Sequence, residues 1–471
     1  MALAFAGATF LPIETSPEPL VLAFAFALAL VTGMLFGAMP AWFATRTDPI
    51  DALRGAGRST GDHSSLTRKA LLVVQATLAV VLVAGSMMLA RSLGNLTKQE
   101  FGFEVPGRVL VSINRPPVTY TSEKLSALYR DVEDRLRNLP GVRGAGLALY
   151  NSLTDNWGEL VLIAGKPMPK PGEQAGASWD RVSANYLQDL GVKLVRGRHF
   201  AATDNATSEN VAVVNEAFVR RFFKNNEDPL DQHFGLDFPE NANTYRIVGV
   251  VRDAKFAGFA LDQPARPMFY VAMAQTVDYP QPLMKRLEFQ SHFVRGLLLV
   301  TDLPPGAIEP EVKRALAAVD QNLTVTTVRT LQEQVDRSFD QQRAVASLAG
   351  LFGIVALVLA AIGLYGVTAY TVAQRTNEIG IRMALGAGRN NVVGMVLQGA
   401  FRRVLFGLLL GLPLAVGAGY LLSAQLYGVR FWDPLALGVS ALSLAACAFC
   451  AAIIPARRAA SISPIRALRT N

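Results

Sequence analysis

The sequence predicts a membrane α-helical protein with five transmembrane helices and an α+β, two-lobed domain outside the cytoplasm. Three observations carry that prediction. Apolar residues make up 51% of the 471 positions and charged residues only 17%, below the roughly one quarter charged that soluble domains carry. Apolar runs long enough to cross a bilayer recur along the chain. Lys and Arg, which bring the net charge to +8, gather beside those runs. They are therefore read as topology signals, and no nucleic-acid partner is implied. A chain of this length also suggests two or three compact units.

A spanning helix needs about 20 mostly apolar residues. The first qualifying stretch runs from about Leu20 to Phe43 and the second from about Ala70 to Leu89. The third runs from about Val345 to Val372, the fourth from about Val392 to Leu422 with Arg402 and Arg403 inside it, and the fifth from about Leu435 to Ile454. Arg402 and Arg403 are read as snorkelling toward the cytoplasm rather than as a substrate site. Basic residues set the direction. Arg46, Arg54, Arg58, Arg68 and Lys69 lie between the first two spans, Arg375, Arg382 and Arg389 follow the third, and Arg457, Arg458, Arg466 and Arg469 follow the fifth. Residues 1–19 hold no Lys or Arg. This places the three basic segments in the cytoplasm, and the N-terminus and residues 98–338 outside it. A signal peptide is the weaker reading of this stretch, because it would want a basic leading segment and the first Arg is Arg46. The spacings Gly33-x-x-x-Gly37 and Gly407-x-x-x-Gly411 fit close helix packing or chance in Gly-rich spans.

The chain matches itself without a gap. Pro40 through Pro49-Ile50-Asp51-Ala52-Leu53-Arg54 lines up with Pro455 through Pro464-Ile465-Arg466-Ala467-Leu468-Arg469, each directly after an apolar span. Residues 1–60 are accordingly expected to be the last helix and cytoplasmic tail of a preceding, incomplete repeat unit. Residues 61–97 would hold the first helix of a complete unit, 98–338 its outer domain, and 339–471 its last three helices.

The outer domain reads as strands and amphipathic helices. Arg108–Asn114 is a predicted strand, Ser122–Asn138 a helix with Leu125, Leu128, Val132 and Leu136 on one face, and Val142–Tyr150 a second strand. A strand at Gly296–Thr301, a helix at Ile308–Val319 and a strand at Leu323–Val328 repeat that pattern. Between these halves lies an insertion over about 151–290, with strands at Leu160–Ala164, Val211–Val214 and Tyr245–Val251. A helix at Asn215–Phe223 opens on an Asn cap. Leu331–Arg343 reads as a helix running unbroken into the third span, a route for motion between the outer domain and the membrane.

Signatures of catalysis are missing from the sequence. It holds no Gly-x-x-x-x-Gly-Lys-Ser/Thr phosphate loop and no His-Glu-x-x-His. His63, His199, His233 and His292 are scattered, and Asp204, Asp253 and Asp262 read as turn or surface residues. Cys447 and Cys450 lie in an apolar run without His nearby, so they read as small lipid-facing residues rather than a redox or metal pair. The spans are almost free of carboxylates, unlike those of ion-coupled carriers. What remains is the short basic loop Gln374 to Arg389, in which Ile379, Met383 and Leu385 are expected on a short helix broken at Gly386 and Gly388. Such a helix can lie on a membrane or dock into a partner's groove.

This loop, Arg375-Thr-Asn-Glu-Ile-Gly-Ile-Arg-Met-Ala-Leu-Gly-Ala387, resembles the signature of FtsX-like and MacB-like ABC transporter permeases. The outer domain is similar to the MacB-type periplasmic core domain at Val182-Ser-Ala-Asn-Tyr186, Leu194-Val-Arg-Gly-Arg198, Val213-Val-Asn-Glu-Ala217 and Ile247-Val-Gly-Val-Val251. The self-match adds a likeness to the C-terminal part of duplicated orphan permeases. The resemblance implies an inner-membrane permease subunit without enzyme activity, catalytic residue, metal or cofactor, with ATP held by a separate ABC ATPase. Glu378, Ile379, Gly380, Arg382, Leu385 and Gly386 would form the loop that couples to that ATPase. ATP hydrolysis would then move the outer domain for efflux or extraction of an unknown substrate. The resemblance further implies a homodimer or pairing with another permease unit, and a possible periplasmic adaptor. The alternatives are an FtsX-like regulatory scaffold acting on a periplasmic partner, or a truncated remnant without function.

Overall fold

The computed structural model describes residues 61–461 except 155, 171, 225–226, 257–260 and 262, together with 19–20, 23–24, 26–27 and 30. The Pro-Ile-x-Ala-Leu-Arg runs at 49–54 and 464–469, the Gly33/Gly37 pair and most of the first predicted span lie outside the described residues. The chain divides into two compact units, Leu96–Phe339 and a second formed by Met1–Asn95 with Asp340–Asn471.

The elements follow in chain order as α1 (Gly61–Lys98), β1 (Arg108–Ile113), α2 (Ser122–Arg137), β2 (Val142–Ala148), β3 (Trp157–Ile163), β4 (Gly176–Val182) and α3 (Tyr186–Asp189). Next come β5 (Leu194–Gly197), β6 (Val211–Asn215), α4 (Glu216–Phe222), β7 (His233–Leu236), β8 (Tyr245–Val251), β9 (Met268–Ala272) and α5 (Pro282–Ser291). The chain continues through β10 (Gly296–Thr301), α6 (Pro305–Val319), β11 (Val325–Thr330) and α7 (Leu331–Arg337). It closes with α8 (Asp340–Gln374), α9 (Thr376–Ala384), α10 (Arg389–Leu421) and α11 (Pro434–Ala460).

The Leu96–Phe339 unit has two lobes. In the first, β11, β1, β10 and β2 lie side by side, each antiparallel to its neighbour. Strands β1 and β2, joined through α2, thus flank β10, while β10 and β11, joined through α6, flank β1. These are two interlocked split β-α-β units. Helix α2 buries the predicted stripe Leu125, Leu128, Val132 and Leu136 against Val109, Val111, Leu297 and Leu299. Thr121 opens the helix by accepting from the Lys124 N–H at 3.3 Å, a capping bond that replaces a missing intrahelical partner.

The second lobe is inserted between β2 and β10. Strands β4, β3, β7, β8, β6 and β9 pair in that order, and β9 pairs again with β4, so the strands close into a ring. Its interior is aromatic: Trp179, Phe218, Phe234, Tyr245 and Phe269 pack together, with Phe234 and Phe269 edge to face at 5.1 Å. Asn215 caps α4, accepting from the N–H groups of Phe218 and Met268 at 2.9 Å each. Strand β4 was not legible as a strand because it carries Asp180 and Arg181. Both are buried. The Arg181 guanidinium donates to Glu288 Oε1 at 2.8 Å, Ser291 Oγ at 2.9 Å and the carbonyls of Ala272 and Gln275. Burial works against a charged Glu288, yet Arg181, His292 and the Val277 N–H outweigh it and hold the carboxyl below its usual range.

In the other unit, four helices among the described residues are long and apolar enough to cross a membrane: Ala70–Lys98, Asp340–Gln374, Arg389–Leu421 and Pro434–Ala460. Their shared interior is built from small residues, with Ala76, Ala79 and Val80 of α1 packed among Ala360, Ala400, Val404, Ala448 and Ala452. The Gly407/Gly411 spacing is used for contact. A Cβ on Gly407 would stand 2.5 Å from that of Ala76, and one on Gly411 would stand 2.9 Å from that of Val80. At the opposite end of α1 from its start, Arg91 pairs with Asp433, which also caps α11 by accepting from the Ala436 N–H at 2.9 Å.

The helix expected to run unbroken over Leu331–Arg343 is interrupted. A Thr330–Glu333 capping box starts α7, which ends at Arg337, and α8 begins only at Asp340. Phe339 turns inward, 1% exposed, against Phe101 at 6.4 Å. Burial of this ring outweighs the one or two hydrogen bonds that a continuous helix would add. The proposed unbroken path for motion is therefore corrected to two helices with a turn between them.

Candidate functional site

The candidate site is the segment between α8 and α10. Helix α9 ends in a Schellman motif: the Gly386 N–H donates to the Met383 carbonyl at 3.1 Å and the Ala387 N–H to the Arg382 carbonyl at 3.0 Å. This geometry requires a left-handed residue, and Gly386 has φ +96°. The glycine thus terminates the helix and turns the chain back toward α10.

Helical spacing then divides α9 into two faces. Ile379, 3% exposed, packs with Val392 of α10 and with Ala459 and Ala460 of α11, and Met383, one turn later, joins that cluster. Gly380 is buried as well. On the other face Ile381 is 48% exposed and Leu385 83%. Glu378 and Arg382 pair there at 2.6 Å, and Arg375 stands 3.9 Å from Glu378. Exposed ion pairs of this kind contribute little stability.

Of the residues singled out from sequence, Glu378, Arg382 and Leu385 share the exposed face, Gly386 fixes the turn, and Ile379 and Gly380 lie inside. Ile381 was missed. It lies two positions from Ile379, about 200° around the helix, and one turn before Leu385, so fixing the helix phase on Ile379 and Met383 would have found it. No group of three or more His, Cys, Asp and Glu suited to a metal occurs among the described residues.

With this geometry established, the comparisons define the family. The MacB-like periplasmic core domain family matches residues 74–319, more than half of the chain, and the FtsX-like permease C-terminal family matches residues 350–464. The chain therefore belongs to the MacB-like, FtsX-type family of ABC transporter permeases. It is a permease-type membrane protein with an α+β domain of the periplasmic core kind. Among curated relatives it is 26% identical over 295 residues to the macrolide export ATP-binding/permease protein MacB of Bordetella avium (strain 197N), covering 61% of this chain and 42% of the relative. It is 24% identical over 319 residues to the pyoverdine export ATP-binding/permease protein PvdT of Pseudomonas savastanoi pv. phaseolicola (strain 1448A / Race 6), covering 64% and 46%. The chain thus spans less than half the length of these relatives. The periplasmic region of MacB from Actinobacillus actinomycetemcomitans aligns with a TM-score of 0.33 at 13% identity, over 51% of this chain and 95% of that one.

Proposed function

We propose that the chain is the transmembrane subunit of an ABC-type exporter and that the exposed face of α9 is where a separate ATPase engages it. The observation that supports this most is the division of labour on α9. Ile379 and Met383 anchor the helix to α10 and α11, while Ile381, Leu385, Glu378 and Arg382 present an apolar pair beside an ion pair. Apolar anchors rimmed by charge suit a groove on a partner protein. In this reading Gly380 and Gly386 position the helix, and no residue of the chain performs chemistry. Displacement of α9 is delivered to α8 and α10, and from them to the domain at 98–338.

The same reading places a fifth spanning helix at Leu20–Phe43, the basic segments and C-terminus in the cytoplasm, and the N-terminus and domain 98–338 outside. Residues 61–97 and 339–471 make the four-helix permease unit, and the repeated Pro-Ile-x-Ala-Leu-Arg run assigns 1–60 the same kind of closing element. The working form pairs two permease units, with an adaptor outside the membrane as a further partner. The test is capture of an ABC ATPase from the native membrane by the full chain, with ATP hydrolysis of the complex measured. Ile381→Asp with Leu385→Asp is expected to abolish both capture and stimulation in a protein that still folds. Retention of both would sink the coupling role of α9.

A further inference from the structure

We infer that the Leu96–Phe339 unit carries a binding pocket for a small ligand with an aromatic or apolar body and an oxyanion head, a carboxylate or a phosphate monoester. The pocket encloses about 270 Å³ and is lined by Arg115, Tyr150, Trp157, Gln290, Phe293 and Arg295 with three smaller neighbours. It follows from the topology. Strands β1 and β2 run antiparallel to β10 on either side of it, so the ends of both meet the start of β10. The Ile113 N–H donates to the Arg295 carbonyl at 3.0 Å, and the Arg295 N–H donates to the Leu149 carbonyl at 3.2 Å. Arg115, just past β1, and Arg295, just before β10, are thereby delivered to one edge, with Tyr150 just past β2. Trp157, which opens β3, supplies a wall from the ring lobe and is held against Trp179 at 5.6 Å. Phe293 and Gln290 come from the end of α5 and the turn after it.

The chemistry is one-sided. Both arginines are exposed, and among the described residues no carboxylate lines the pocket. Neither arginine makes an ion pair among the described residues. Each is placed by an aromatic ring instead: the Arg115 guanidinium lies 4.4 Å from the Phe293 ring centre, and that of Arg295 lies 5.9 Å from the Tyr150 ring centre. Phe293 is 1% exposed, so its ring is a fixed platform. A guanidinium held over a ring still has its in-plane N–H donors to offer, and such a planar fork suits an oxyanion taken in two parallel hydrogen bonds. Trp157 offers the apolar body a surface. The volume, near the lower end for ligand pockets, sets the size to about one ring with a short substituent. This inference does not depend on the role of α9.

The test titrates the full chain, in nanodiscs of phosphatidylcholine, with phenyl phosphate, benzoate and phenol by calorimetry. At least one of the two anions is expected to bind one saturable site at least about tenfold more tightly than phenol, as a charge-assisted bidentate contact implies. The tighter of the two identifies the head group as phosphate or carboxylate. Arg115→Gln with Arg295→Gln is expected to weaken that binding by about tenfold or more, with the single variants carrying the same test should the double variant fold poorly. Trp157→Ala is expected to weaken phenyl phosphate while leaving inorganic phosphate unchanged. The inference is overturned by no saturable binding of either anion, by phenol binding as tightly as both, or by arginine variants that bind within twofold of the parent.

Discussion

The two compact units bury different kinds of side chain. The ring lobe outside the membrane helices is filled with Trp179, Phe218, Phe234, Tyr245 and Phe269. The helical unit is filled with Ala76, Ala79, Ala360, Ala400, Ala448 and Ala452, and with glycines placed where helices touch. In water, burying a large ring removes much apolar surface from solvent and drives folding. In lipid that gain vanishes, since the tails are as apolar as the side chains. Close approach of backbones and dispersion across small residues take its place. One chain thus uses two packing rules, and each unit should fail in its own way when mutated.

The largest effects are expected in the aromatic interior. Phe269→Ala should lower the stability of the Leu96–Phe339 unit by about 3–5 kcal/mol, read from the denaturant midpoint of tryptophan fluorescence, since Trp179 stacks on that ring at 5.9 Å. A loss below about 1 kcal/mol would refute the proposed weight of this cluster. Arg181→Met alone should cost about as much, roughly 3–5 kcal/mol, because Glu288 would keep a buried charge without its partner. Adding Glu288→Leu should recover most of that loss. In the parent protein Glu288 is held below its ordinary value of 4.5. Its contribution is therefore present above about that pH and is lost as the pH falls through the folded value.

The helical unit should respond to added volume instead. Gly407→Leu is expected to cost about 1–3 kcal/mol, measured by retention of the folded species in rising denaturing detergent, while Gly417→Leu, with open space beyond its Cα, serves as the control. Equal losses at the two sites would remove the argument for close packing at Ala76. A smaller effect, in the opposite pH sense to Glu288, belongs to Glu133. Burial pushes its carboxyl up to about 7 despite Arg137 at 3.0 Å and the Ser183 hydroxyl. A raised carboxyl binds its proton more readily in the folded state, so stability should fall as the pH rises from about 4.5 to about 7. Glu133→Gln should flatten that slope. The smallest change is expected for Leu385→Ser, within about 0.5 kcal/mol, whereas Ile379→Ala on the other face of the same helix should cost about 2 kcal/mol or more.

The sequence carried the elements whose physics is periodic. The α2 stripe from Leu125 to Leu136, the Asn215 cap, the strand Tyr245–Val251 and the spans at Ala70, Val345, Val392 and Leu435 were legible, because apolar spacing and run length report directly on one helix or strand. The short loop around Glu378 to Gly386 was also visible, as charge and glycine between two spans. Tertiary structure decided the rest. Strand β4 hides Arg181 in a site completed by Glu288, a residue far along the chain that only the ring closure brings near. Residues 338–339 break a helix because Phe339 finds a buried place beside Phe101. Arg115 and Arg295 look like isolated surface charges until three strands bring them to one edge. In each case the deciding energy comes from contacts distant in sequence, where spacing along the chain says nothing about which groups will meet.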